Sequence, residues 1–290
     1  MKWLKKHLRK FIQASWAVLT NSYFKGFALG KLYTGPLKKF CVPGMNCYSC
    51  PGAVGACPIG SFQASFTGRR MRFPFYVLGF LAFIGILVGR FICGWLCVFG
   101  LIQELLYMIP TPKIKIPRSV DRVLRYLKYA VLLILVILLP VFLRDKAGLS
   151  APYFCKWICP VGTLQGGVLL VLFNEKLRAA VGFLYAWKLA ILALVILASI
   201  FIHRPFCKYM CPLGAFYGLF QRISFLRLAF DESKCVNCGA CARNCGMDVD
   251  PRKSCNSAEC IRCGECVKVC PEKALRFTAA GKKSPEATMH

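Results

Sequence analysis

The chain has 290 residues, 57% of them apolar, and a mean hydropathy of +0.53, too apolar for one soluble domain, so a membrane protein is expected. The formal net charge of +27 would suit a nucleic-acid binder, but Lys and Arg cluster between apolar runs and form no single basic and aromatic face, which excludes that class. Nineteen cysteines, mostly at CxxC and CxxxC spacings, suit metal clusters better than the disulfides of a small secreted domain.

In chain order, Lys2 to Lys10 carries five Lys/Arg and precedes an apolar segment with no small-residue cleavage site, so an uncleaved first helix is expected. Four spans are predicted, over 11–29, 73–88, 129–143 and 181–202. The first is interrupted by Gln13, Ser15, Asn21 and Lys25 and also reads as an interfacial helix. Lys113, Lys115, Arg118, Arg122 and Arg125, with the N-terminal cluster, mark the cytoplasmic face and put both termini there, in a multi-pass protein of the cell (inner) membrane. Lys38, Lys39, Arg69, Arg70 and Arg72 oppose that bias. The predicted organisation is an all-α membrane bundle over 1–224, a small α+β ferredoxin domain over 225–280 and a disordered tail over 281–290.

The membrane part contains a repeat. Cys93-Gly-Trp-Leu-Cys97-Val-Phe-Gly, Cys155-Lys-Trp-Ile-Cys159-Pro-Val-Gly and Cys207-Lys-Tyr-Met-Cys211-Pro-Leu-Gly share C-x3-C, an aromatic residue two after the first Cys and a Gly three after the second. A partial copy is Cys57-Pro-Ile-Gly-Ser-Phe-Gln63, preceded by Cys41, Cys47 and Cys50. The predicted topology puts Cys93, Cys97, Cys207 and Cys211 on one face, enough for one [4Fe–4S] cluster. The other face receives Cys155 and Cys159 with Cys50 and Cys57, and Cys47 next in preference. The bland alternative, buried or palmitoylated cysteines, does not account for Pro and Gly in register.

Residues 235–271 hold two blocks of C-x2-C-x2-C-x3-C: Cys235, Cys238, Cys241, Cys245 and Cys260, Cys263, Cys266, Cys270, the last followed by Pro271. This run holds [4Fe–4S] clusters, with the fourth Cys of each block serving the other cluster. One cluster is then expected on Cys235, Cys238, Cys241 and Cys270, the other on Cys260, Cys263, Cys266 and Cys245. Gly239 and Gly264 would let the backbone approach the cluster. Paired zinc knuckles are the weaker reading, because the third Cys of each block is surplus to them.

The GRxxCGWxC block at 89–97, the CxxxCP block at 207–212, the spans and the double ferredoxin resemble NapH-type membrane ferredoxins, with related modules in the NosR and CcoG families. The resemblance covers most of the chain from Phe73 onward. It implies an electron-transfer subunit of a redox complex, a stand-alone enzyme being less expected, with a flavin, quinone or ferredoxin partner. Val98 after Cys97, Gly246 after Cys245 and the additional cysteines at 41–57 depart from the pattern. Four [4Fe–4S] clusters are expected, two in the ferredoxin domain and two in the membrane domain. A second reading is a cluster-dependent reductase for metal or cofactor assembly.

Other residues carry blander expectations: Lys188 snorkels to the interface, Gln103 and Glu104 form a solvated face, and His7 and His203 are not haem ligands. Cys255 is a free thiol, and Asp231, Glu232 and Glu265 solvate the ferredoxin module. Clusters at opposite surfaces of a hydrocarbon core about 30 Å thick would lie too far apart for one hop, so the membrane clusters must be recessed or have a partner cofactor between them.

Overall fold

The apolar runs fold as helices, and the breaks between them fall mostly at proline, glycine and cysteine. The computed structural model describes residues 2–67, 73–146, 149–179 and 181–279. The expected tail over 281–290 and the basic residues Arg69, Arg70 and Arg72 lie outside these.

The span expected over 11–29 is two helices, Lys2–Thr20 and Phe24–Leu29. The break follows from Asn21, whose side-chain amide donates to the Ala17 carbonyl and takes up a helix-terminal acceptor. The longer helix is inside out. Arg9, Gln13 and Thr20 are buried, whereas Phe11, Val18 and Leu19 are exposed.

Among the described residues, two helices are long and apolar enough to cross a membrane, Arg118–Phe142 and Phe183–Phe201. Four were expected. Phe75–Val88 has 14 residues, about 21 Å at 1.5 Å per residue, short of a hydrocarbon core about 30 Å thick. The span expected over 129–143 starts earlier, at Arg118, because the charged segment before it continues the same helix. That helix widens to a π-helix over Val131–Leu138, and Gln63 Nε2 donates to the Leu135 carbonyl there, at 2.8 Å.

The other regular element is a two-stranded antiparallel sheet, Leu226–Phe230 against Leu275–Ala279, with Leu226 opposite Ala279 and Phe230 opposite Leu275. Both cysteine blocks lie between its strands, so the sheet closes the ferredoxin module. The module docks on the helices through buried polar contacts. Glu259 accepts from Arg90 and Lys128, Trp95 Nε1 donates to the Arg262 carbonyl at 3.0 Å, and Gln221 Nε2 donates to the Cys260 carbonyl at 2.8 Å. Lys208 pairs with Asp248, and Arg9 pairs with Glu265.

Candidate metal centres

The two ferredoxin blocks are backbone copies of one another. Asn237 and Arg262, each just before the second Cys of its block, have positive φ (52° and 49°), as do Gly239 and Gly264 just after it (69° and 81°). Asp248 and Lys273, each three after the fourth Cys, repeat the pattern at 52° and 50°. Gly239 and Gly264 are therefore needed for a left-handed turn. Cys235, Cys238, Cys241 and Cys270 line one cavity, and Cys245, Cys260, Cys263 and Cys266 line the next. The fourth cysteine of each block thus sits with the other block's three. Cys255 reaches the second cavity as a fifth thiol, with its Sγ donating to the Pro251 carbonyl at 2.7 Å.

The repeat of the helical part also becomes a local structure. In each full copy the second cysteine caps a helix: Sγ of Cys97, Cys159 and Cys211 accepts from the N–H of Gly100, Gly162 and Gly214 at 3.4, 3.3 and 3.3 Å. Proline at the next position is suited to a first helical turn, where its missing N–H costs nothing, and Val98 fills the same place in the first copy.

Cys93, Cys97, Cys207 and Cys211 line one enclosed cavity. Its two halves are tied reciprocally by arginines that each stand three residues before the first cysteine of their copy. Arg90 Nη2 donates to the Cys207 carbonyl at 3.2 Å, and Arg204 Nη1 donates to the Cys93 carbonyl. Each guanidinium lies over the glycine of the opposite copy. A Cβ on Gly100 would stand 2.9 Å from Arg204 Nη1, and one on Gly214 would stand 3.3 Å from Arg90 Nη2. Both arginines are fully buried, which requires paired acceptors. Glu259 serves Arg90, and Glu104 Oε1 takes Arg204 at 3.0 Å and Arg9 at 2.8 Å. Burial alone would raise the Glu104 carboxyl, but the contacts with His203, Arg204 and Arg9 outweigh it and hold the group well below the usual carboxylate range. Gln103 donates to Cys207 Sγ at 3.1 Å and accepts from the Phe206 N–H. Gln103 and Glu104 are thus part of the centre, not the solvated face expected for them.

The remaining copies meet in a second site of the helical part. Cys57, Cys155, Cys159 and Cys47 line one cavity, and Cys50, the residue favoured from the spacing, does not. Cys50 is buried elsewhere in the loop, beside Gly52 and Ala53 and within the field of Lys38. Cys47 reaches the site because Gln165 holds its backbone: the Cys47 N–H donates to Gln165 Oε1 at 2.7 Å. Gln63 accepts from the Cys155 N–H at 3.4 Å. Gln63, Gln103 and Gln165 all stand six residues after the second cysteine of their copies, and each steadies a cysteine segment of another copy.

The two sets of the helical part share a wall. Met45, 2% exposed, lines both cavities of the helical part. Its neighbour Gly44 would bring a Cβ to 3.4 Å from Cys97 Cα, and Cys47 follows three residues on, within about 11 Å of extended chain. Tyr217, where the third full copy has tyrosine in the glutamine register, donates to the Pro43 carbonyl at 2.9 Å. Its hydroxyl feels Cys93 and Cys211 on one side and Cys41 and Cys57 on the other. Toward the module, a Cβ on Gly94 would meet the Ile261 carbonyl and the Cys263 N–H at 2.4 and 3.5 Å. The field of Cys97, Cys207 and Cys263 converges on Arg204. Cys255, which lines the second module cavity, also packs against the buried cluster of Leu228, Cys241 and Leu275.

All four sets have the donor composition of a [4Fe–4S] site, four thiols around a cavity. Arg204, Gln63, Gln165 and Met45 were missed from the sequence and Gln103 was assigned to solvent, although Arg at three before and Gln at six after were both readable in the repeat. Lys188, expected to snorkel, lines the Cys155 cavity, and its charge acts on Cys47, Cys155 and Cys159.

A 4Fe-4S binding domain family matches residues 71–117, 129–179 and 185–230, one stretch for each full copy of the repeat, and a second 4Fe-4S binding domain family matches residues 256–276, which hold the second ferredoxin block. The uncharacterized protein MJ0750 of Methanocaldococcus jannaschii is 31% identical over 206 residues, covering 68% of this chain and 76% of that protein. The methylamine utilization ferredoxin-type protein MauN of Paracoccus denitrificans is 28% identical over 75% of this chain and 71% of its own length. The regulatory protein NosR of Stutzerimonas stutzeri is 28% identical over 54% of this chain, but only 20% of its own length is covered. No solved structure matches. With its repeats, its module and its relatives agreeing, the chain belongs to the 4Fe-4S ferredoxin-type family that includes MJ0750 and MauN.

Proposed function

We propose that the chain is a membrane-bound electron carrier holding four [4Fe–4S] clusters in a row, one on each thiol set. Single electrons pass between a soluble partner at the ferredoxin module and an acceptor or donor beside Cys155. The order runs from Cys235, Cys238, Cys241 and Cys270 to Cys245, Cys260, Cys263 and Cys266, then to Cys93, Cys97, Cys207 and Cys211, and last to Cys47, Cys57, Cys155 and Cys159. The carrying observation is that neighbouring sets approach one another: Cys255 of the second module cavity packs against the buried cluster that holds Cys241, Gly94 packs on Ile261 and Cys263, and Met45 lines both cavities of the helical part. The distance difficulty raised by the sequence is eased, since Pro43–Met45 enters the helical part between the two sets there. When bound, each cluster would supply one-electron chemistry; the protein holds it, buries it and directs N–H groups and cations at its sulfurs.

Several features support a membrane setting. Two helices are long enough to cross, and large apolar side chains such as Phe75, Phe83, Phe142, Phe183 and Leu194 face outward while ion pairs fill the interior. Arg9, Arg125, Lys128 and Lys208 all bond to the module or pair with it. A basic end around the module supports a cytoplasmic position for it. Partners would be further subunits of a redox complex that perform the chemistry on a substrate.

Anaerobically purified protein should carry about sixteen iron atoms per chain. Cys155→Ser with Cys159→Ser should remove about four of these and one EPR-visible centre while the module's signals persist. Cys47→Ser should do the same, and Cys50→Ser should leave iron content at the wild-type value. Unchanged iron in the Cys155/Cys159 double variant would sink the fourth cluster.

A further inference from the structure

The buried cations of this chain are paired with carboxylates, with one exception among the described residues. Arg90 and Lys128 share Glu259, Arg9 and Arg204 share Glu104, and Lys208 holds Asp121 and Asp248. Arg262 is 1% exposed, and among the described residues no carboxylate pairs with it. Its hydrogen bonds go to three neutral acceptors, the carbonyls of Val88 and Gln221 at 2.9 and 2.8 Å and Asn256 Oδ1 at 3.2 Å, and its Nε has no partner. Arg227, whose field also reaches it, adds charge of the same sign. A guanidinium keeps its proton in a protein. Buried, it needs a counter-charge, and neutral carbonyls supply hydrogen bonds without one.

The anionic groups at hand are the sulfurs. Arg262 stands between Cys260 and Cys263 in the chain, lines the cavity of Cys245, Cys260, Cys263 and Cys266, and acts on Cys260 with its charge. Glu265 lines the same cavity but is paired with Lys268 and Arg9. The first block is a backbone copy with a different side chain in this place: Asn237, neutral and exposed, has φ 52° where Arg262 has 49°. The cations lining the first cavity, Lys234 and Arg252, are matched by Asp231 and Asp250. The second cavity of the module thus carries a buried positive charge with no carboxylate against it, and the first does not.

We propose that Arg262 is the counter-charge of the second module cluster and sets it at the higher reduction potential of the module's two, so that an electron entering the module comes to rest against the helical part. The inference rests on the reading of the eight cysteines as two [4Fe–4S] sites. In the step it favours, the first cavity's cluster is oxidised by one electron and the second's is reduced by one, with no bond or proton changing hands. Nearby charge, hydrogen bonds and exposure set a cluster's potential. Burial by itself favours the less charged, oxidised state. Arg262 opposes it at close range, where two unit charges in protein interact by more than the worth of a tenfold ratio. Because the same guanidinium holds the carbonyls of Val88 and Gln221, the residue that retains the electron also pins the module where the next transfer occurs.

The test is an EPR-monitored redox titration of the anaerobically purified full-length protein, with iron counted in every sample. Wild type should show two module midpoints separated by about 59 mV or more, a tenfold preference of one electron for the second cluster. Arg262→Gln should lower the higher midpoint by that amount and leave the lower one in place, and Arg262→Lys should restore most of the separation. Asn256→Asp keeps Arg262 and its two carbonyl contacts and sets a carboxylate against the guanidinium. It should lower the higher midpoint as well, which keeps the test valid if Arg262→Gln fails to load iron. Trp95→Phe removes a bond to the Arg262 carbonyl without touching its charge and should move neither midpoint. Equal module midpoints in wild type, a higher midpoint that Asn256→Asp leaves unchanged, or a shift in Trp95→Phe as large as that in Arg262→Gln overturns the inference while the module's EPR signals uphold its clusters. Absence of those signals from wild type overturns both readings.

Discussion

The Cys93 set and the Cys155 set are built from one repeat, and they differ in what stands three residues before the first cysteine. In the Cys93 set this residue is arginine in both copies, Arg90 and Arg204, and the two guanidinium groups cross to the opposite copy's cysteine carbonyl and lie on its glycine. In the Cys155 copy the position is Pro152, and the partner copy at Cys57 has lost its first cysteine to a loop. Without crossing arginines the Cys155 set is steadied by Gln63 and Gln165 and opens into a wide cavity with Lys188 at its edge. The repeat thus makes a closed site where two full copies meet and an open one where a full copy meets a partial one.

Removing an arginine is the strongest way to break this difference. Arg204→Leu leaves Glu104 with Arg9 and a more distant His203, and leaves the Cys93 carbonyl without its donor, all inside the protein. Breaking a buried pair from one side costs about 3–5 kcal/mol. The variant should lose the iron of the Cys93 set before that of the module, read by EPR and iron content on mild warming. Equal retention at the two places would show that the guanidinium does not hold this set together.

The glycines sharpen the comparison at intermediate size. Gly100 and Gly162 hold the same register, yet a Cβ on Gly100 would stand 2.9 Å from a pinned guanidinium, whereas one on Gly162 would stand 3.7 Å from Cys159 Sγ and Cys47 Sγ. Gly100→Ala should cost about 1–3 kcal/mol as an overpacked buried site. Gly162→Ala should cost less than about 1 kcal/mol, the helix-propensity gain offsetting part of the crowding. Thermal unfolding of the two holoproteins should separate them by several degrees, and equal midpoints would contradict the role given to Arg204.

The cysteine pattern was legible because cluster ligation demands fixed spacing: the two blocks at 235–270 and the three C-x3-C copies were all readable, and each set of four lines a cavity. Cys47 and Cys50 were not separable, because the partial copy keeps only Cys57 in register and the choice is made by Gln165, more than a hundred residues away. Four spans were expected and, among the described residues, two helices are long and apolar enough to cross, because apolar content does not fix length: Phe75–Val88 is short and the first apolar stretch is cut at Asn21. Burial of Arg90, Arg204, Lys128 and Glu104 was not legible, because hydropathy marks charges as exposed and their pairing partners stand far off in the sequence.

The smallest expected effect is at the wall between the two sets. Tyr217 occupies the glutamine register of its copy and, instead of steadying a cysteine segment, donates to the Pro43 carbonyl at 2.9 Å, fully buried. Tyr217→Phe removes that bond and leaves the carbonyl unpaired, which costs about 1 kcal/mol and opens no cavity. The iron content should stay at the wild-type value, so the change tests position alone. Pro43–Met45 would be freer to move against both sets, and the rate at which dithionite-reduced module clusters re-equilibrate with the Cys155 set in a freeze-quench series should fall severalfold. Tyr217→Trp, which overfills the same place, should lose iron from the Cys93 set. If Tyr217→Phe re-equilibrates at the wild-type rate with all iron present, the Pro43–Met45 segment is a passive wall and electrons pass between the sets by another contact.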